Sequence, residues 1–359
     1  MPIRVWLALG SFNDQGKMMI NSHVASRSYR RSLQVVRTAL SALGAAGLFS
    51  IASAPVHAAD FPDRPVQIVL SFPAGGATDA LARELSQYLG KALDQSVVVL
   101  NRPGAGGMIG MQAGARAEPD GHTLYISSVM SNAVYEGVNG KQAISLENDF
   151  EGVGGIASAP HILIAPDQIG VKDYAGLVSY LKAAPGKYNY ASMGAGTLSN
   201  LEAEIFKDET GTDALQIPYK GSSQALPEVV SGSSAFMFDS VTSSLPQINA
   251  GRIHALGVAS SKRLDMMPHV PTMKELGVEG LEAENLFALM APKGTPADRV
   301  TVLANALSTA QADEGFRKAI GEQGFVVSEI DQKALPGFIA DQQAFWKKKV
   351  ESLNITATK

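Results

Sequence analysis

The sequence contains no cysteine among its 359 residues. Disulfides, thiolate metal sites and a cysteine nucleophile are therefore excluded, whereas an oxidising compartment tolerates this absence easily. Tryptophan is also scarce, since only Trp6 and Trp346 occur, and we expect no tryptophan platform for stacking sugars. Beyond the N-terminal region, no apolar run approaches the roughly 20 residues that a membrane-spanning helix needs. We therefore expect no direct membrane insertion of the mature chain.

The N-terminal region has the pattern of a secretion signal over residues 27–59. Four arginines between positions 27 and 37 precede a run of small and apolar residues over 39–54, and small residues around Ala58 form a cleavage site. This order predicts an N-terminal extension and signal peptide over residues 1–58, removed on export to the periplasm. The alternatives of a membrane anchor and of the twin-arginine export route stay open.

Basic charge is in short supply once this region is removed. Residues 1–58 hold six of the 30 basic and one of the 34 acidic side chains, so the remainder carries 24 against 33, a net charge of −9. Nucleic acids and anionic lipids are bound by basic patches, and we expect neither as a partner.

The motifs of several enzyme and cofactor classes are missing as well. Counting G-x-G-x-x-G from Gly104 puts Ile109 where the third glycine belongs, so the dinucleotide fingerprint fails. No phosphate loop, nucleophile elbow or metal-type histidine spacing is present. We predict no cofactor, no metal site and no enzyme activity, with an enzyme acting on organic acids as the alternative.

What the chain does contain is a repeated order of strand, glycine loop and helix. Val66–Leu70 predicts a strand, residues 71–79 a loop, and residues 80–93 a helix with leucines at helical spacing. The same order recurs over residues 188–210, and a shorter strand is expected at Ile162–Ile164. Strands that alternate with helices predict an α/β fold with a mostly parallel sheet.

The two glycine loops are the strongest candidates for a binding site. A helix N-terminus leaves backbone N–H groups unpaired and carries partial positive charge, so a glycine-lined approach to it suits a carboxylate or phosphate. The candidate contacts in the loops are Gly75, Gly76, Thr78, Asp79, Gly194, Gly196, Thr197 and Ser199. Tyr219 and Asp239 follow further strands and join them, since ligands of α/β proteins bind outside the carboxyl ends of strands. Plain turns with helix caps are the alternative.

Short motifs then stand in a fixed order from Phe61 to about Thr356. They are FPDRP at 61–65, FPAGGATD at 72–79, NRPGAGG at 101–107, PDGHTL at 119–124, PGKYNYAS at 185–192, GAGT at 194–197, PYKGSSQAL at 218–226, MFDS at 237–240 and APKGTP at 291–296. In this order and spacing the chain resembles the tripartite tricarboxylate transporter substrate-binding proteins, also called Bug receptors.

The resemblance implies a two-lobed, Venus-flytrap, type II-like periplasmic binding fold in which the chain crosses the hinge twice. By analogy, lobe 1 comprises residues 59–160 and 286–359, and lobe 2 comprises residues 161–285. An organic acid is held between the lobes by the loops 72–79 and 192–200. Matching the family's motifs adds further ligand-binding candidates, namely Phe72, Ala74, Ser127, Ser128, Ala195 and Asn200.

The implied function is capture of a small carboxylate and its delivery to the membrane permease subunits of a tripartite tricarboxylate transporter. A sensor kinase is the alternative partner, and we expect a monomer. Two departures from the family pattern lie near the expected cleft mouth: Asn200, where many relatives have histidine, and residues 135–148. Because of these departures, an aromatic or longer acid is an alternative to a small dicarboxylate as the ligand.

Overall fold

The computed structural model describes most of the chain in two separate units, residues 1–59 and 60–359. The described residues are 11–12, 18–19, 61–140, 144–281 and 284–353. In the first unit, the short strands β1 (Ser11–Phe12) and β2 (Met18–Met19) pair antiparallel. The predicted signal region, residues 27–59, lies outside the described residues.

The second unit is built on a mixed sheet of ten strands in its described part. These strands are β3 Val66–Leu70, β4 Val97–Asn101, β5 Thr123–Ser128, β6 Phe150–Pro166, β7 Asn189–Ser192, β8 Leu215–Pro218, β9 Phe236–Ser240, β10 Ile253–Ala259, β11 Glu284–Pro292 and β12 Val326–Val327. Their order is β4-β3-β5-β11-β6-β9-β7-β8, and β10 and β12 also pair with β6.

Helices cover this sheet. In the described residues the α-helices are α1 Ala77–Leu93, α2 Met108–Ala115, α3 Val129–Asn139, α4 Leu146–Asp149, α5 Tyr174–Ala183, α6 Leu198–Thr210, α7 Ser222–Val230, α8 Val241–Asn249, α9 Ala297–Ala312, α10 Glu314–Gly321 and α11 Leu335–Ser352. None of the helices in these residues is long and apolar enough to span a membrane.

The long strand β6 divides the sheet into two halves. Up to Pro160 it pairs with β11, and from His161 onward it pairs with β9 and β10. Each half also has a parallel part, β4-β3-β5 in one and β8-β7-β9 in the other. The predicted α/β fold with parallel strands in each half is confirmed, and the antiparallel strand β6 runs through both halves.

Apolar periodicity explains how the helices dock on the sheet. Leu81, Leu85 and Leu89 of α1 recur every four residues, so they lie on one helix face, and all are fully buried in the same core cluster as Ile68 of β3. The helix ends where Asp94 adopts a left-handed conformation. Burial of each leucine stabilises the fold by about 1.5–3 kcal/mol. The packed helix therefore holds the glycine loop that precedes it at the edge of the sheet.

Two predicted boundaries differ from the structure in ways that matter for the site. Helix α1 begins at Ala77 rather than 80, and α6 begins at Leu198 rather than 201. The small and polar residues of these first turns have a loop-like composition, but a first turn needs no apolar face to form. A third difference is β6, which has 17 residues rather than the three of Ile162–Ile164, because its glycines and Pro160 obscure the strand pattern.

Candidate functional site

A small enclosed cavity of about 20 Å³ lies where the two glycine loops meet, at the carboxyl ends of strands from both halves of the sheet. It is lined mostly by hydroxyl-bearing, amide and small side chains: Phe72, Pro73, Gly76, Ala77, Thr78, Ser128, Ser131, His161, Met193, Ser222, Ser240, Ser243, Asn285 and Phe287. A cavity of this size holds about one water molecule. A dicarboxylate therefore enters only if the walls move apart.

The first loop is held in shape by Asp79. Its carboxylate accepts hydrogen bonds from the backbone N–H of Gly75 at 3.1 Å, from Nε and Nη2 of Arg83 at 2.9 Å each, and from Asn101 Nδ2 at 3.0 Å. Burial raises the pKa of Asp79, but these donors outweigh it and hold the pKa below its ordinary value. Asp79 is thus an ionised anchor whose oxygens are engaged within the loop.

The second loop is built in the same way around Asn200. Its Oδ1 accepts from the backbone N–H of Gly196 at 3.1 Å, and its Nδ2 donates to the Tyr190 hydroxyl at 2.8 Å. In both loops, therefore, a glycine N–H is tied to an Asx side chain four residues later in the first turn of the helix. Gly75 and Gly196 have φ of 87° and 72°, a conformation that favours glycine.

Serines from the opposite half of the sheet reach the N-termini of both helices. Ser243 Oγ of α8 accepts from the backbone N–H of Ala77 at 3.1 Å, and Ser131 Oγ of α3 accepts from the N–H of Leu198 at 3.4 Å. Each serine keeps its O–H free to donate elsewhere. The N-terminus of α1 and both crossing serines line the small cavity, whereas Gly196 and Asn200 at the start of α6 line the larger cavity described below.

A buried polar cluster lies behind this cavity and reaches its wall at His161 and Ser222. His161 Nδ1 lies 2.6 Å from Glu202 Oε2, and both side chains are almost fully buried. Asp239 Oδ2 accepts from the hydroxyls of Ser222 and Ser244, each at 2.8 Å. Burial raises the pKa of Glu202 and of Asp239. Burial lowers the pKa of His161, but the Glu202 charge outweighs this and raises it above its ordinary value.

A larger cavity of about 930 Å³ lies on the other side of the second loop. Tyr135, Tyr219 and Lys220 are among its walls, as are Asn200 and Gly194. Its size is at the upper end of small-molecule sites. Both predicted departures from the family pattern, Asn200 and the start of residues 135–148, therefore face one open space.

Comparison with known proteins now decides the family. The family model described as the tripartite tricarboxylate transporter family receptor matches residues 81–355, more than half of the chain. The chain belongs to this receptor family. Protein BugT of Bordetella pertussis is 36% identical over 298 residues, which cover 82% of this chain and 90% of that protein.

Solved structures place the chain among two-lobed periplasmic binding proteins of the family. The periplasmic binding protein BugD superposes with a TM-score of 0.79 at 31% identity, covering 82% of this chain and 99% of that chain. An R. palustris protein with adipate gives 0.78 at 30% identity, covering 83% and 99%. MatC from Rhodopseudomonas palustris with bound malate gives 0.76 at 29% identity, covering 81% and 100%.

The site residues predicted from the sequence fall into three groups. Those that line the small cavity are Phe72, Gly76, Thr78 and Ser128. Those that line the larger cavity are Gly194, Ala195, Gly196, Asn200 and Tyr219. Those that line neither cavity are Ala74, Gly75, Asp79, Ser127, Thr197, Ser199 and Asp239. The third group includes residues that support the loops; for example, Thr197 Oγ1 donates to the Gly194 carbonyl at 2.7 Å.

Sequence reasoning missed several residues of the small cavity, above all Ser131, His161 and Ser243. A signal for the serines was present, since each lies three residues beyond the end of a strand, after Ser128 and Ser240, where α/β proteins bind ligands. His161 interrupts an apolar strand sequence, and single histidines of that kind are usually structural. In the described residues no group of three or more acidic and histidine side chains could hold a metal ion.

Proposed function

We propose that this family member is a periplasmic receptor that captures a small organic acid between two lobes and delivers it to a tripartite tricarboxylate-type membrane transporter. The observation that carries the proposal is the pair of serines, Ser131 and Ser243, which line one small cavity and each cross to the N-terminus of the opposite helix, α6 and α1 respectively. Helix N-termini and hydroxyl donors suit a carboxylate without any lysine or arginine.

The lobes proposed for this mechanism are residues 59–160 with 286–359, and residues 161–285. The first boundary coincides with the change of pairing partner in β6 between Pro160 and His161. The second falls at the start of β11, which pairs with β5 and with β6 only up to Pro160. We propose that the lobes separate about these two strands to admit the ligand and close on it, with ligand binding shifting the equilibrium toward the closed arrangement.

The ligand proposed is a dicarboxylate of the length of malate to adipate, because relatives at 29% and 30% identity are described with these acids. The glycine loops, with Ser127, Ser128, Tyr219 and Asp239 around them, are proposed to hold or support it. The wide cavity beside Tyr135 and Tyr219 favours a longer or aromatic acid as the second choice.

We propose binding rather than catalysis at this site. The His161–Glu202 pair has the arrangement of the base and its orienting acid in a serine hydrolase. In the described residues, however, no serine hydroxyl hydrogen bonds to His161 Nε2, so the nucleophile of such a triad has no place. The family description names a transporter receptor and offers nothing in favour of a sensor kinase as the partner.

Isothermal titration calorimetry tests the binding step. The chain, unfolded and refolded to remove carried ligand, is titrated with malate, adipate, citrate and benzoate, and with adipamide as the uncharged control. We expect a carboxylate to bind and to stabilise the fold by about 2.7 kcal/mol at 100 times its Kd, whereas adipamide does not. Failure of every acid to bind would refute the carboxylate receptor.

A second experiment tests delivery. Vesicles that contain a two-component tripartite tricarboxylate permease are expected to accumulate the labelled acid only when the loaded receptor is added. Hydrolysis of ester substrates by the purified chain, abolished in a His161 variant, would instead support the enzyme alternative.

A further inference from the structure

His161 is the only titratable side chain among the described residues that line the small cavity. It belongs to β6 at the point where the strand changes partners, opposite Ser240 of β9. Its side chain is 2% exposed. Burial of a histidine at the junction of the proposed lobes destabilises the fold unless its ring nitrogens have hydrogen-bond partners. We therefore ask which group each ring nitrogen binds.

Glu202 accounts for one of the two nitrogens. The 2.6 Å contact between Nδ1 and Oε2 requires the proton on Nδ1 when the carboxylate is ionised, and it fixes the orientation of the ring. No hydrogen bond is made by Nε2 to any of the described residues. The ring therefore offers Nε2 as its unused hydrogen-bonding group at a wall of the cavity.

The acidic groups around the ring favour its protonated form. Glu202 on α6 and Asp239 on β9 are the charged groups that act on His161 from the packed elements. Glu202 raises the pKa of His161 above its ordinary value, although burial opposes this. The imidazolium is then the single positive side chain at a cavity whose other polar walls are hydroxyl and amide groups.

We propose that His161 is a specificity-determining ligand contact, whose Nε2–H donates to a carboxylate of the bound acid while Glu202 positions the ring. This inference rests on the proposed function and deepens it, because it names the charged partner that distinguishes an ionised carboxylate from an amide or ester. A charge-assisted hydrogen bond of this kind is stronger than a neutral one.

Calorimetry of the full chain with adipate and with malate, from about pH 6.5 to about pH 9, tests the contact because both acids stay ionised there. For the wild type, affinity should fall by up to about tenfold per pH unit once His161 loses its proton. His161→Gln should bind about tenfold to a hundredfold more weakly near neutral pH, and its affinity should not vary with pH.

Two further variants separate a ligand contact from a structural role. Glu202→Gln removes the charge that holds the proton on His161, so the loss of affinity should begin at lower pH than in the wild type. His254→Gln is the matched control, since His254 Nε2 also pairs with a carboxylate, Asp167 at 2.7 Å, but outside the cavity. It should leave both affinity and pH dependence unchanged.

The outcomes are distinct. Wild-type affinity that does not change with pH, together with unaltered binding by His161→Gln, would overturn the contact and leave the receptor function standing. No binding of either acid by the wild type would overturn the proposed function and this inference with it. If His161→Gln does not fold, nitrogen-15 NMR of the histidine rings of the wild type tests the contact instead. Adipate should shift the Nε2 signal of the buried histidine. An unshifted signal at saturating adipate would refute the contact.

Discussion

Substitution of Gly221 tests whether the arrangement seen here is the ligand-binding one. Gly221 precedes α7 in proposed lobe 2, and a Cβ atom built on it would lie 2.5 Å from Pro73 Cδ and 3.0 Å from Pro73 Cγ in the first glycine loop. Its φ of 166° is extended backbone that any residue adopts. Gly221→Ala therefore introduces a collision with proposed lobe 1 and, because Gly221 is the N-cap of α7, a poorer cap for that helix.

The size of the effect follows from the geometry. The methyl group would be almost 1 Å closer to the proline ring than an ordinary contact allows, and a closed ring offers no flexible end that could move aside. Overpacking of this kind costs about 1–3 kcal/mol, and the cost disappears when the lobes separate. The apparent affinity for adipate should fall about fivefold to 150-fold.

Calorimetry measures the affinity, and small-angle X-ray scattering measures the radius of gyration, which should increase in the variant. Gly221→Ser carries the same Cβ but restores a good N-cap for α7, so it should be as weak as Gly221→Ala if the collision is responsible. Gly337→Ala, with open space around its Cβ, should behave as wild type. Unchanged affinity and an unchanged radius of gyration in Gly221→Ala would refute the reasoning.

Two other predictions follow from buried contacts. Burial raises the pKa of Glu136 to about 7 from an ordinary value of 4.5, so its contribution to stability is full below about pH 4.5 and is lost as the pH rises through about 7. Glu136→Gln should therefore be more stable than wild type at about pH 8, by on the order of 2 kcal/mol, and as stable as wild type near pH 4.5. Urea unfolding at both pH values measures the difference in free energy of unfolding. Equal stability of the two proteins at pH 8 would contradict the prediction. Ser131→Ala and Ser243→Ala should each weaken adipate binding, measured by calorimetry, about twofold to tenfold. Ser352→Ala, at an exposed position, is the control. Wild-type affinity in both cavity variants would exclude the crossing serines as ligand contacts.

The sequence was sufficient to predict the elements whose packing is local. In the strand Val66–Leu70 every residue except Gln67 is buried, as expected for a strand that is covered on both faces of the sheet. The leucines of α1 recur on one helix face and are buried as well. These signals lie within a few residues of one another. The positions of the two glycine loops follow for the same reason, because each lies between a predictable strand and a predictable helix.

The composition of the cavity could not be predicted in the same way, because it depends on long-range contacts. Ser131 meets Leu198 across 67 positions of the chain, and Ser243 meets Ala77 across 166. His161 and Glu202 are likewise separated by 41 residues. No local pattern encodes such pairs, so the sequence indicates the loop motifs but not the residues that meet them across the sheet.

The construction of the two loops shows how an acidic chain would bind the proposed anion. Asp79 and Asn200 hold the glycine N–H groups of their own loops, which leaves the conformation of each loop set before any ligand arrives and reduces the entropic cost of binding. At physiological ionic strength, salt screens the negative surface charge of the protein beyond about 8 Å. Within the small cavity, the N-terminus of α1 and several hydroxyl groups act at hydrogen-bonding distance, together with His161 in the proposed role. The sign of the site is therefore decided by these local groups, and not by the net charge of the protein.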